Sequence, residues 1–232
     1  MKIKYIGHSG FSVEHETIVL IIDCCGCTKE NLESYKLDNK YLYILSSHAH
    51  GDHFDPNILT FGGGKRKWIF SADIKEKVPE NCDIHFIAKG ESYKDERLKV
   101  KAYGSTDEGV SFYIELGGFK IFHAGDLNNW HWKEEETPKD AAKNEQFFLD
   151  ELSIIAGEVP SLDALMFPVD PRLGKDYDLG AEQFLDSIKV NLFIPMHFWN
   201  DFEKARAFKI KAEKRGCRFA DIRTAGDEFI LE

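Results

Sequence analysis

Apolar residues along this chain fall into short runs first and helical spacing later. Lys2 to Ile6 alternates, the turn Gly7-His8-Ser9-Gly10 follows, and Phe11 to Val13 resumes, a pattern that predicts a strand pair. Thr17-Ile18-Val19-Leu20-Ile21-Ile22 is a continuous apolar run ending at Asp23, as expected of a strand buried on both faces. Tyr41 to Ser46 is a second such run and leads straight into His48. Short strands are expected at Lys67–Phe70, Ile84–Ile87 and Lys99–Tyr103, then a hairpin joining Val110–Leu116 to Phe119–Phe122 through Gly117-Gly118. Thr137-Pro138-Lys139-Asp140 reads as an N-cap, a proline in the first turn and an acidic residue. With Ala141, Phe148, Leu152 and Ile155 it predicts an amphipathic helix over residues 138–156. A strand at Ala164–Phe167, a helix at Ala181–Ile188, a strand at Leu192–Met196, a helix at Asp201–Arg215 and a final strand at Glu228–Leu231 complete the pattern. Strands come first and alternate with helices afterwards, with no composition break, so one α/β domain spanning 1–232 is expected.

Bulk properties narrow the partners. The chain has 232 residues, 43% hydrophobic and 30% charged, with a formal net charge of −10. Such a surface repels phosphate backbones, which disfavours a broad nucleic-acid face while leaving room for a local basic pocket. The amino-terminal MKIKYIGHSGFSVE lacks an apolar core long enough for a signal peptide, and no stretch approaches a membrane span. A cytoplasmic protein is therefore expected, with Cys24, Cys25 and Cys27 as reduced thiols. Nothing in the sequence fixes the oligomeric state.

The chemistry concentrates in His48-Ala49-His50-Gly51-Asp52-His53, which holds three of the nine histidines. Four ligand-type side chains at this spacing cannot face one way on a regular helix or strand, but on a loop they can converge. Neutral imidazoles and a carboxylate suit zinc and similar divalent ions. Two further segments end a strand with a ligand-type residue: Phe119 to Phe122 leads to His123-Ala124-Gly125-Asp126, and Leu192 to Met196 leads to His197. His123 is a candidate proton donor or a residue that orients a ligand. His8 reads as a turn residue or a hydrogen-bond partner of a ligand. Asn128 to Trp132, including His131, forms a polar-aromatic loop suited to shaping a substrate pocket. Arg172 suits an anionic substrate group, or else an ion pair with Asp170 or Asp176.

These segments, in this order, resemble the metallo-β-lactamase superfamily. The opening Gly7-His8-Ser9-Gly10-Phe11 and the spacing of the whole set resemble its ascorbate-6-phosphate lactonase-like branch. The resemblance implies a four-layer αββα sandwich and a metal-dependent hydrolase. In it His48 and His50 would hold a first ion, and Asp52, His53 and His197 a second, with Asp126 bridging the two. Zinc is the expected ion, with manganese or iron also suited to the carboxylates, and one or two ions would bind. The catalytic assignments it suggests are Asp52, Asp126 and His123. A metal-bound hydroxide would attack a small, anionic substrate: a lactone, an ester or a phosphodiester. One departure stands out. The family usually has another histidine before the Gly-Asp strand, whereas residues 102–109 here read Ala-Tyr-Gly-Ser-Thr-Asp-Glu-Gly. Asp107 or Ser105 substituting, His123 swinging in, and a single tightly bound ion are the competing readings. A metal-binding or sensor protein without turnover is the alternative function, and a nuclease a lesser one.

Overall fold

The structure is a computed structural model that describes residues 1–26, 35, 37–60 and 65–232. Among these residues, two seven-stranded mixed sheets carry the fold. The first consists of β1 (Lys2–Gly7), β2 (Gly10–His15), β3 (Ile18–Ile22), β4 (Tyr41–Ser46), β5 (Lys65–Ser71), β6 (Ile84–Ile87) and β14 (Glu228–Ile230). The second consists of β7 (Ser92–Lys94), β8 (Leu98–Tyr103), β9 (Ser111–Leu116), β10 (Phe119–His123), β11 (Ser161–Pro168), β12 (Lys189–Met196) and β13 (Arg218–Phe219). Their spatial orders are β14-β1-β2-β3-β4-β5-β6 and β13-β12-β11-β10-β9-β8-β7. Each sheet has three antiparallel pairings followed by three parallel ones, so the two repeat one plan.

The alternation of side chains explains the layering. On β3, Ile18, Leu20 and Ile22 face the central core shared by both sheets, while Val19 and Ile21 face a separate cluster outside the first sheet. Tyr43 and Leu45 of β4 divide from Leu42 and Ile44 in the same way. A continuous apolar run is what a strand coated on both faces requires. The outer cluster is closed by Phe54 from the loop after the motif and by Ile58 and Ile74 from short 3₁₀ turns. The second sheet is covered by α1 (Pro138–Glu158), α2 (Leu179–Ser187), α3 (Phe202–Ala207) and α4 (Lys209–Lys214). Phe148, Leu152 and Ile155 of α1 and Phe184 of α2 join the central core. This is the four-layer αββα arrangement.

Most boundaries move by one or two residues from the expected ones, and two differences are larger. The helix expected over Asp201–Arg215 is two short helices meeting at Phe208. The Phe208 N–H there reaches only to Ala205 O, in a tightened turn that seats the fully buried Phe208 ring 4.8 Å from Phe193. The short strands β7 and β13 carry too few residues to show a period. The reduced-thiol expectation fails at Cys24, which is disulfide-bonded. Cys25, Cys82 and Cys217 are free, and Cys27 lies outside the described residues. No helix among the described residues is long and apolar enough to cross a membrane.

Candidate metal centre

The parallel registers bring strand ends level, and the candidate residues sit just beyond them. Ile22 of β3 lies opposite Leu45 of β4, and Phe167 of β11 opposite Pro195 of β12. Asp23 therefore follows β3, the His48 loop follows β4, Asp126 follows β10, Asp170 follows β11 and His197 follows β12, all at carboxyl ends. His8 comes from the β1–β2 turn and joins them, its carbonyl accepting from the His197 N–H at 3.2 Å.

Asp126 is the hub. It is buried, with Oδ1 lying 3.0 Å from His53 Nε2 and 3.3 Å from His197 Nε2, and Oδ2 3.5 Å from His48 Nε2. His8 Nε2 lies 3.2 Å from Asp52 Oδ2. His50 packs edge-on against His48, with its Nδ1 3.1 Å from His48 Nε2. Four buried polar atoms in this cluster have no hydrogen-bond partner among the described residues: Nε2 of His8, His53 and His197, and Oδ1 of Asp126. Burying such atoms unpaired is costly. Converging imidazole nitrogens and carboxylate oxygens are the donor set a divalent cation takes. The ligand atoms of His8, Asp52, His53 and His197 lie within 4.8 Å of one another, as do those of His48, His53 and Asp126.

Carboxylates behind the ring fix which nitrogen faces inward. Asp23 is fully buried and accepts from Ser47 N at 2.7 Å, Ser47 Oγ at 2.6 Å and His53 Nδ1 at 2.8 Å. A carboxylate only accepts, so His53 donates through Nδ1 and turns Nε2 to the centre. Ser47 Oγ, having given its proton to Asp23, accepts from His48 Nδ1 at 3.0 Å and directs that ring likewise. Asp170 holds His197 Nδ1 at 2.8 Å and is itself gripped by the Arg172 guanidinium. Sequence reasoning did not assign these two orienting aspartates. The signal available was an aspartate directly after, or two residues after, a buried strand.

The electrostatics follow from this geometry. Burial pushes the His48 imidazole down to about 4, so it stays neutral. Burial also opposes charge on His53, but the adjacent carboxylates of Asp126 and Asp23 outweigh it and raise that ring to about 10. Burial alone would raise Asp126, yet His53 and His197 hold it well below the ordinary carboxylate range. A cation held through His53 Nε2 would have to take the place of a proton on that nitrogen.

Local backbone is held in unusual conformations here. Of the six non-glycine residues with positive φ among the described residues, five border the centre: His8, Asp23, Trp132, His197 and Trp199. Such conformations cost of order 1–3 kcal/mol each and persist where the surroundings over-determine them. Gly109, at φ +69°, lies so close to the motif that a Cβ would fall 2.1 Å from Ser47 O, which excludes any side chain.

Two candidate residues have both ring nitrogens bonded inside the protein. His123 is fully buried, with Nε2 donating to Ser9 O at 2.8 Å and Nδ1 accepting from Gly125 N at 3.2 Å, so neither nitrogen is free to pass a proton to substrate. His131 is also fully buried, bonded through Nε2 to Asp176 O at 3.1 Å and through Nδ1 to Lys133 N at 3.2 Å. It braces the loop through these two bonds. Arg172 forms the ion pair with Asp170 and also lines a cavity of about 350 Å³ beside Asp126. Trp130, Trp132 and Phe147 supply apolar wall, and Thr106, Asp107, Glu136 and Asn144 the polar remainder. The guanidinium lies 5.7 Å from the Trp132 ring and 5.0 Å from that of Trp199.

Comparison with known proteins agrees with this architecture. The family model described as "Beta-lactamase superfamily domain" matches residues 2–141. A UPF0173 metal-dependent hydrolase of Nanoarchaeum equitans is 28% identical, covering 93% of this chain and 94% of its own. Igni18, a metallo hydrolase from Ignicoccus hospitalis, superposes with TM-score 0.65 over 100% of this chain and 99% of its own at 20% identity. YhfI of Bacillus subtilis, a metallo-β-lactamase fold protein, superposes with TM-score 0.66 over 99% of each chain at 14% identity. With the ligand-bearing loop, the strand-end aspartate and the strand-end histidine in place on this fold, the chain belongs to the metallo-β-lactamase superfamily.

Proposed function

We propose that the chain is a metal-dependent hydrolase cleaving an ester-type bond, as in a lactone, ester or phosphodiester, in a small anionic substrate. The observation that carries this reading is the convergence of four unpaired buried ligand atoms beside a cavity with Arg172 on its wall. His48, His50 and Asp126 would hold one ion, and Asp52, His53, His197 and Asp126 a second. The donor set fits zinc, and its carboxylates also fit manganese or iron. Bound there, such ions supply Lewis acidity and make water acidic, with a pKa near ~7. The remaining work belongs to the chain. Asp52 is held well below the usual carboxylate range by the His8 imidazole 3.2 Å away. With Asp126 it is an ionised acceptor at the centre. Arg172 spends Nε and Nη2 on Asp170, and Nη1 makes no hydrogen bond among the described residues, which leaves it for an anionic substrate group. Trp130, Trp132 and Phe147 line the cavity with apolar surface.

The test is a panel of lactone, thioester and phosphodiester substrates, run on purified protein before chelation, after chelation and after reloading. Turnover on at least one class, lost on chelation and restored by a divalent ion, is the expected result. Protein that retains no ion refutes the reading. An ion without turnover favours a binding or sensor protein, a reading prompted by the absence of an imidazole in residues 103–109. The net charge of −10 counts against a nuclease.

Arg172→Ala separates recognition from chemistry. On an anionic substrate KM should rise roughly 10–100-fold, the equivalent of one charge-assisted hydrogen bond. A neutral analogue of the same bond should be affected much less. An equal loss on both substrates would assign Arg172 to holding Asp170 alone.

A further inference from the structure

The segment that lacks a histidine brings a carboxylate near the centre. Tyr103 points away, its hydroxyl donating to Glu158 Oε2 at 2.7 Å. Gly104 has no side chain, and a Cβ there would fall 2.3 Å from Oε2 of Glu151, a buried carboxylate paired with Lys89. The Glu151 carboxylate thus occupies the space that a side chain at 104 would need. Ser105 Oγ accepts from the Asp107 N–H at 3.3 Å. Thr106 Oγ1 donates to Asn128 O at 2.6 Å and accepts from Asn128 N at 2.9 Å, tying this loop to the one that carries Asp126. Glu108 pairs with His50 Nε2 at 3.3 Å on the more exposed side. Asp107 alone in the segment reaches the centre: its carboxylate and the ligand atoms of His50 and Asp126 lie within 4.8 Å of one another. Among the described residues neither Asp107 nor Asp126 forms an ion pair with lysine or arginine; their partners are the imidazoles of His48, His50, His53 and His197.

We propose that Asp107 is the fourth protein ligand of the position held by His48, His50 and Asp126. Resting on the metal-dependent reading above, this makes the two positions chemically unlike. The first offers two imidazoles and two carboxylates, whereas the second, besides Asp52 and the shared Asp126, offers three imidazoles once His8 is counted with His53 and His197. Oxygen donors favour manganese or ferrous iron relative to zinc, and imidazole-rich sets favour zinc. The position with Asp107 is therefore the one at which Mn²⁺ or Fe²⁺ competes best with Zn²⁺, and the position with three imidazoles the one that favours Zn²⁺ most.

The test uses chelated full-length protein titrated with Mn²⁺, Fe²⁺ (anaerobically) or Zn²⁺. Ions retained per chain are counted by elemental analysis after gel filtration, and Mn²⁺ is followed by its electron paramagnetic resonance signal. The wild-type chain should retain two ions. Asp107→Asn should lose the more weakly held Mn²⁺ by at least the ~10–100-fold typical of losing a partner around a metal, while the other ion stays. Asp107→His should move that position from Mn²⁺ towards Zn²⁺. Thermal unfolding of each chelated variant serves as the folding control, and the half-exposed side chain of Asp107 predicts little change. Two Mn²⁺ retained at unchanged affinity in Asp107→Asn, or an unaltered Mn²⁺-to-Zn²⁺ preference in Asp107→His, would overturn the assignment. A wild-type chain retaining one ion overturns it too but leaves the hydrolase reading standing, whereas one retaining none ends both.

Discussion

Asp126→Asn should reduce turnover more than about 100-fold, because losing even a partner behind a metal ligand costs ~10–100-fold and Asp126 lies at the centre itself. The substitution keeps volume and shape but removes the charge towards which His48, His53 and His197 all point. An amide offers one neutral oxygen where the carboxylate offers two charged ones, so two ions could no longer share it. At least one retained ion should be lost with the activity, and thermal unfolding of the chelated protein should shift far less than the activity does. Turnover on the best panel substrate, ion content and unfolding temperature are measured on the same preparation. Activity within tenfold of wild type, or both ions kept, would refute a bridging role.

The reach of the sequence can be judged residue by residue. The continuous runs at Thr17–Ile22 and Tyr41–Ser46 announced doubly covered strands because both of their faces are in fact apolar, and the clusters on either side of β3 and β4 bear this out. The motif loop was legible because ligand-type residues rarely crowd without a cation to hold. His8 was not assigned as a ligand, since a histidine in a Gly-His-Ser-Gly turn reads as local structure. Only the folded chain brings its Nε2 to 3.2 Å from Asp52 and its ring to 4.2 Å from that of His197. Asp23 and Asp170 were hidden for the same reason, lying 30 and 27 positions from the imidazoles they hold. His123 and His131 could be read from the sequence as catalytic or structural, and only the folded chain shows them buried with both nitrogens bonded. The missing histidine was a question the sequence posed and could not answer. The answer proposed above, Asp107, was one of the candidates named from the sequence, and only the folded chain brings it near His50 and Asp126.

Asp23→Ala should be the most destabilising single change near the centre. Asp23 is fully buried and accepts three hydrogen bonds, from the Ser47 backbone, the Ser47 hydroxyl and His53. Alanine leaves those donors unpaired, and removing one partner of a buried charged pair costs ~3–5 kcal/mol. The backbone adds to this: Asp23 sits at φ +45°, a region aspartate and asparagine tolerate better than alanine. For a chain of this size, 1 kcal/mol corresponds to ~2–4 °C, so the unfolding temperature should fall by roughly 6–20 °C. Asp23→Asn separates the causes, since its amide oxygen still accepts from His53 and its backbone tolerates the conformation. It should recover much of the stability yet leave His53 less basic and cation affinity reduced ~10–100-fold. The pH dependence supplies the sign. The Asp23 carboxyl is held below its ordinary value: burial opposes its charge, but the neighbouring His123 and His53 more than compensate. Its contribution is thus present above the ordinary carboxylate pKa and lost as pH falls through the depressed one. The gap between wild type and Asp23→Ala should accordingly be widest near neutral pH and close in strong acid. A gap that stays constant down to acid pH would mean that packing, and not the charged hydrogen bonds, is what Asp23 contributes.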